Sequence, residues 1–291
     1  MPKAQTIKLA SGADAVLLIH GLASSPLEMF SLATALKQRG FSVEVPHIRG
    51  FGFGSDVTSH EDWLEQIVTV FDRLKSEYRT VSVGGLCIGS VLSLALARER
   101  PRDVCALSLL STTLFFDGWS IPWYRFLMPL WFHTPVRHLY SYAESEPYGI
   151  KNPEIRARVA RAMRRGFSEA GAAHISMSHV YQASRLVRHV MRELHNVITP
   201  ALVIHAIDDE TASPKSAEHV FRNIGSAEKR KVFLGESYHM ITLDNERDAV
   251  AAETNAFFKA HAAATLPQRA SAASVEAAAP RVAASGARRQ A

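Results

Sequence analysis

One stretch constrains this chain more than any other. Residues Val81–Ser90 read Val-Ser-Val-Gly-Gly-Leu-Cys-Ile-Gly-Ser. The β-branched run Thr80–Val83 predicts a buried strand, and the helix formers from Val91 to Arg98 predict a helix. Between them, Gly85 and Gly89 stand two residues either side of Cys87. A sharp strand-to-helix turn needs that spacing, because it leaves no room there for Cβ atoms. The turn is a nucleophile elbow, and it offers the Cys87 side chain at its apex. The usual occupant is serine, so the cysteine is the most informative single letter in the chain.

The rest of the sequence alternates strand and helix around this turn. Ala15–Ile19 predicts a central strand ending at His20-Gly21. Ser25-Pro26-Leu27-Glu28 reads as a capping box with proline in the first helical turn, and the helix it starts stops at Gly40. Phe41–Val45 predicts a strand, Pro46–Asp56 a glycine-rich loop, and Glu61–Glu77 an amphipathic helix. The strand Val104–Leu110 follows the elbow helix. From Thr112 to about Val197 no clean strand signal appears. That region holds eight aromatics between Phe115 and Phe132, then the basic helical segment Pro153–Arg165, then the helical stretch Ser176–Leu194. The alternation resumes with Ala201–Ala206, a helix from Ser213-Pro214, the strand Lys231–Leu234 and a last helix over Arg247–Ala262. This predicts an α/β fold, a doubly wound and mostly parallel sheet with a helical cap insertion. The expected organisation is an N-terminal extension (1–12), a core (13–111 and 198–264), the cap (112–197) and a disordered tail (265–291).

Composition narrows the partners. The chain has 291 residues, 47% hydrophobic, with a formal charge of +5. Four arginines and one glutamate in 266–291 carry +3 of that charge, leaving about +2 for the body, too little to predict nucleic-acid binding. Cys87 and Cys105 are the only cysteines; one sits at the elbow and the other inside a strand, which predicts no disulfide and a reducing compartment. No signal-peptide pattern and no apolar run of membrane-spanning length is present, so the expected location is the cytoplasm. His133/His138 and His174/His179 lack metal-ligand spacing; no metal and no cofactor is predicted. The aromatic stretch 115–132 is read first as cap core and acyl-binding wall, with membrane contact through it as the lesser reading. The arginines of 156–165 are read as a solvated face or as a greeting for the phosphates of an anionic head.

The catalytic candidates follow from position. His239 directly follows the strand Lys231–Leu234, and Asp208 and Asp209 directly follow Ala201–Ala206. Each therefore lies at a strand's carboxyl end, where open α/β sheets build sites. His239 can take the Cys87 proton and later return one to a leaving group. An aspartate would orient the imidazole. The backbone N–H groups of Ile88 and Leu22 are the candidate oxyanion donors, and His20 is expected to be structural, fixing the loop that presents Leu22. Asp244 is expected to cap the last helix, and Asp117 to open the cap.

Four motifs carry a resemblance: Val-Leu-Leu-Ile-His-Gly-Leu (16–22), Gly-Leu-Cys-Ile-Gly (85–89), His-Ala-Ile-Asp-Asp-Glu (205–210) and Ser-Tyr-His-Met-Ile-Thr-Leu-Asp (237–244). They resemble the carboxylesterase and monoacylglycerol-lipase branch of the α/β-hydrolases, which also places nucleophile, acid and histidine in this order. The resemblance implies an enzyme with a Cys87–Asp209–His239 triad that cleaves a small-molecule acyl ester or thioester through an acyl-enzyme. Cysteine at this position is similar to dienelactone hydrolases, some intracellular polyester depolymerases and polyhydroxyalkanoate synthases, at the box alone. A thioester acyl-enzyme is nearly level in energy with a thioester donor, which tilts the expected substrate toward activated acyl groups such as acyl-CoA. Two alternatives stand beside hydrolysis: transfer of the acyl group to an acceptor other than water, and a catalytically inactive binding protein on the same fold. Acyl length, leaving group and oligomeric state are left open.

Overall fold

The computed structural model describes residues 5–54, 56–121, 126, 132, 134 and 140–277. The chain opens with β1 (Ile7–Leu9) and β2 (Asp14–Ile19), a 3-10 turn over Pro26–Met29, α1 (Phe30–Gln38) and β3 (Ser42–Val45). Next come α2 (His60–Glu77), β4 (Thr80–Leu86), α3 (Ile88–Glu99) and β5 (Val104–Leu110). The insertion holds β6 (Ser141–Ala143), α4 (Pro153–Met163), β7 (Phe167–Ser168), β8 (Gly171–Ala172), β9 (His174–Ser176) and α5 (Met177–Glu193). After it follow β10 (Ala201–Ala206), α6 (Lys215–Asn223), β11 (Lys229–Leu234) and α7 (Arg247–Ala277).

Seven strands form one sheet in the order β1-β3-β2-β4-β5-β10-β11. Only β1 runs antiparallel to its neighbour; the others pair in parallel. All seven residues of β4 are buried, the mark of a parallel strand covered on both faces. On one face, Ile67 and Phe71 of α2, Val91 and Leu94 of α3 and Leu186 of α5 pack together around Trp63. On the other, Leu32 and Leu36 of α1, Val159 of α4 and Phe258 of α7 close the second core. Truncating a fully buried Trp63 or Phe258 costs about 3–5 kcal/mol. α2 starts where a reciprocal capping box between Ser59 and Asp62 satisfies its first donors.

Four features depart from the sequence expectation. β1 lies within the segment expected as a mere extension; three residues are too few for a periodic signal, yet Ile7 pairs with Val45 and Leu9 with Val43. The insertion is not wholly helical, since β6–β9 and β7–β8 form two small antiparallel pairs. α7 runs on to Ala277, past the expected end near Ala262, in a stretch rich in alanine and therefore favourable to helix. The fourth concerns Glu28. Ser25 does cap, accepting the Leu27 N–H at 3.3 Å, but the Glu28 carboxylate turns inward to the Gly21 N–H instead of back to Ser25. Trp123, Tyr124, Trp131, His133, His138 and the tail beyond Ala277 lie outside the described residues. No helix among the described residues is long and apolar enough to cross a membrane.

Candidate active site

Cys87 caps the N-terminus of α3 with φ 58 and ψ −121, a strained conformation for a residue with a Cβ. The flanking glycines explain why it is held. A Cβ on Gly85 would lie 2.3 Å from the Gly89 carbonyl oxygen, and one on Gly89 would lie 2.3 Å from that of His20. The Cys87 N–H donates to the Leu110 carbonyl at 3.0 Å, tying the turn to β5, and the Thr113 hydroxyl donates to Sγ at 3.3 Å. Neither Cys87 nor Cys105 is in a disulfide.

His239 lies beyond β11 and Asp209 beyond β10. The His239 Nδ1–H donates to Asp209 Oδ2 at 2.7 Å. The other Asp209 oxygen accepts the N–H groups of Thr211 at 2.9 Å and Ala212 at 2.8 Å. His205, fully buried, stands 3.4 Å from Oδ2 and donates its Nε2–H to the Ala212 carbonyl at 2.8 Å. Burial opposes ionisation of Asp209, but the charge of His239 and these hydrogen bonds prevail and hold its carboxyl below the usual range. Burial likewise opposes the imidazolium of His239, yet the charges of Asp209 and Cys87, with hydrogen bonding to both, carry it well above the ordinary histidine value. Its Nε2 is buried and makes no hydrogen bond of good geometry; Cys87 is the group that acts on the ring from the cavity side. Asp208 is half exposed and pairs with Lys151 at 3.3 Å. Of the two aspartates, then, only Asp209 reaches the histidine.

The loop after β2 is fixed from several sides. His20, fully buried, donates Nδ1–H to the Gly21 carbonyl at 2.8 Å and packs against Phe51 with ring centres 5.3 Å apart. Burial pushes its pKa down to about 4. Ala23 N–H donates to the Phe51 carbonyl at 2.9 Å, and Phe53 N–H to the Ser24 carbonyl at 2.8 Å. Leu22 and Ile88 thereby face the same cavity as Cys87 and His239, a space of about 190 Å³. Among the described residues, neither of their amides is taken up by an acceptor.

Several residues escaped sequence reasoning. Glu28, Glu144 and Glu210 all line the cavity. Glu210 Oε2 accepts the His239 N–H at 3.1 Å, and burial pushes the pKa values of Glu28 and Glu210 up to about 7. Asp244 does more than cap a helix. Its buried carboxylate accepts four backbone N–H groups, from Lys151, Asn152, Tyr238 and Asn245, at 2.7–2.9 Å. The histidine loop is thus locked to the segment before α4. Asp117 holds the start of the insertion to the loop after β10, accepting from the Ser213 N–H and hydroxyl at 2.9 Å each. Phe116, from the aromatic stretch, lines the cavity.

A mostly parallel sheet with a strained elbow after β4, a carboxylate after β10 and a histidine after β11 defines an α/β-hydrolase fold. A family model described as "Serine aminopeptidase, S33" matches residues 11–247, and the chain belongs to that family. It is 28% identical over 255 residues to a thermostable monoacylglycerol lipase of Bacillus sp. (strain H-257), covering 87% of this chain and 93% of the relative. It is 26% identical over 259 residues to a carboxylesterase of Bacillus subtilis (strain 168), covering 86% and 93%. Among solved structures, the monoacylglycerol lipase of Paleococcus ferrophilus superposes with a TM-score of 0.74 at 17% identity, over 88% of this chain and 98% of that one. Metagenome-derived lipolytic enzymes, LipS and LipT, give 0.70 at 21% identity, over 90% and 99%. The family's description names a serine enzyme; this chain has Cys87 at the elbow.

Proposed function

We propose that this protein hydrolyses a small carboxylic acyl ester or thioester through a covalent intermediate on Cys87. The observation that carries the reading is convergence. The Cys87 thiol, the Asp209–His239 pair and the amides of Leu22 and Ile88 border one cavity. The Cys87 thiolate attacks the carbonyl carbon, forming a C–S bond while the carbonyl electrons move onto oxygen. The two amides receive that oxyanion, each such donor being worth roughly 10²–10³ in rate. Collapse breaks the bond to the leaving group, which takes a proton from His239 Nε2. Water then gives a proton to His239 and attacks the thioester. Release of the acid regenerates the thiolate and imidazolium. Asp209 keeps the ring in the tautomer that offers Nε2 to both steps. The two curated relatives, a lipase and a carboxylesterase, favour an ester as the bond cleaved.

Intact-mass spectrometry after incubation with acyl-CoA and p-nitrophenyl ester panels tests this. The expected result is a mass increase of one acyl group that is absent in Cys87→Ala, together with loss of turnover. Turnover that survives in Cys87→Ala would refute the nucleophile.

A further inference from the structure

The cavity beside Cys87 is lopsided in charge. Glu28, Glu144 and Glu210 line it against the single basic side chain of His239, and no lysine or arginine lines it among the described residues. Two of these carboxylates have structural duties: Glu28 accepts from Gly21 N–H and Glu210 from His239 N–H. Glu144 has none. It follows β6, where its own N–H donates to the Ala173 carbonyl at 2.9 Å. Among the described residues nothing donates to its carboxylate, and His239 is the one opposite charge that acts on it. A half-buried carboxylate that no hydrogen-bond donor meets, and whose pKa burial raises, is stabilised in its charged form when a further cation or donor arrives. Four aromatic side chains, Tyr140, Tyr142, Tyr148 and Phe116, share the remaining wall with aliphatic ones such as Ile121, Ile175 and Met240. Carboxylate and aromatic faces together are the surroundings that a small ammonium group prefers.

We infer that the acyl compounds this site accepts carry a cationic ammonium group a few atoms from the scissile carbonyl, received by Glu144 and the tyrosine wall. This rests on the reading of Cys87 as nucleophile and specifies its substrate class. An anionic group in the same place would meet three carboxyls and is disfavoured. The charge state of the lining sets a pH signature. Burial raises all three glutamates, Glu28 and Glu210 to about 7. A cation favours their ionised forms, so the preference for it grows as pH rises through about 7. Asp209 and His239 adjoin the same cavity; their effect on the chemical step is common to charged and uncharged substrates, and loss of the His239 proton at higher pH raises the preference for a cation further.

The experiment compares kcat/KM for choline butyrate with that for its uncharged carbon isostere, neohexyl butyrate. A second pair places the charge on the acyl side, as p-nitrophenyl γ-trimethylammoniobutyrate and its carbon isostere. The expected preference for the cation in at least one pair is about tenfold, rising between pH 6 and 8. In Glu144→Gln that ratio falls severalfold. Should the variant fold poorly, the wild-type ratio and its pH trend still decide. A separate readout needs no turnover: choline should protect Cys87 from iodoacetamide better than neohexanol does. Equal turnover within both pairs, with equal protection, overturns the charge inference while leaving Cys87 catalysis standing. Faster turnover of a glyceryl ester than of every cationic ester also overturns it, assigning the cavity to hydroxyl donors. Acylation of Cys87 by none of the esters, with no protection by choline, overturns both readings.

Discussion

Replacing Glu28 with glutamine should stabilise the fold by an amount that grows as pH rises from about 4.5 to about 7 and then levels off. The Glu28 side chain is 2% exposed and meets the Gly21 N–H, with Ser24 beside it. Burial dominates its titration and raises the pKa from 4.5 to about 7, against the opposing pull of the Gly21 N–H, the charge of His239 and Ser24. The sign follows from proton counting. Between pH 4.5 and about 7 the folded chain holds the Glu28 proton and the unfolded chain has released it. The unfolded state binds fewer protons there, so stability falls as pH rises through this window and stays reduced above it. At about 1.4 kcal/mol per pH unit, the full span corresponds to roughly 3 kcal/mol. Relaxation and water entry trim this, and about 1–3 kcal/mol is the range to expect.

Glutamine keeps an oxygen for the Gly21 N–H, adds a donor that can reach the Ser24 hydroxyl, and never ionises. Urea unfolding of wild type and Glu28→Gln at pH 5, 6, 7 and 8 reads the difference directly. At pH 5 the two should agree within about 1 kcal/mol. By pH 8 the variant should be more stable by the amount above. Glu210 and the other titrating groups are shared by both proteins, so they cancel. A gap that stays constant with pH, or a variant less stable at pH 8, would refute the reasoning.

Two further perturbations separate neighbouring residues. Asp209→Asn should lower kcat by about 10⁴ by presenting His239 with the wrong tautomer partner, whereas Asp208→Asn, at a half-exposed site, should change stability by no more than about 0.5 kcal/mol; steady-state kinetics and thermal melting distinguish them, and equal losses would remove Asp209 from its role. Gly89→Ala drives a Cβ to 2.3–2.4 Å from the carbonyl oxygens of His20 and Ile19 and should cost about 3 kcal/mol, while Gly235→Ala, with open space around it, should be tolerated; circular dichroism melts check the contrast.

The candidate site was legible in the sequence where its geometry is local. Gly85 and Gly89 announce the elbow because backbone contact forbids any larger residue, and two short apolar strands followed by Asp209 and His239 bring the proposed acid and base to one sheet edge. Asp208 and Asp209 could not be separated from their own residues, because only folding shows which carboxylate turns inward. Glu28 misled: a serine, a proline and a glutamate in the first turn spell a capping box, and nothing local says that the carboxylate will be buried under the loop bearing Leu22. Asp244 was read as a helix cap because its four backbone donors come from two segments some 90 residues apart in the chain. The pairs β6–β9 and β7–β8 are two or three residues long, too short for a period of two to emerge. Glu144 was invisible for the same reason, since it follows one of those strands.

The protonation of His239 bears on why a cysteine suits this elbow. An imidazole held well above its ordinary value carries a proton at neutral pH, and a protonated base cannot take one from a serine hydroxyl. Paired with a thiolate it is already in the reactive form, because the anion attacks and the imidazolium protonates the leaving group. Part of what raises His239 is the charge of Cys87 itself, so the imidazolium depends on the thiolate that the proposed reaction uses. Cys87→Ser removes that charge. His239 then drops toward its ordinary value, and activity requires its neutral form, which appears only as pH rises through the new value. The acidic limb of kcat/KM for an activated oxygen ester should therefore lie at higher pH in Cys87→Ser than in the wild type, where the ion pair persists to lower pH. Coincident acidic limbs would mean that Cys87 does not share a proton with His239, and the ion-pair account would fail.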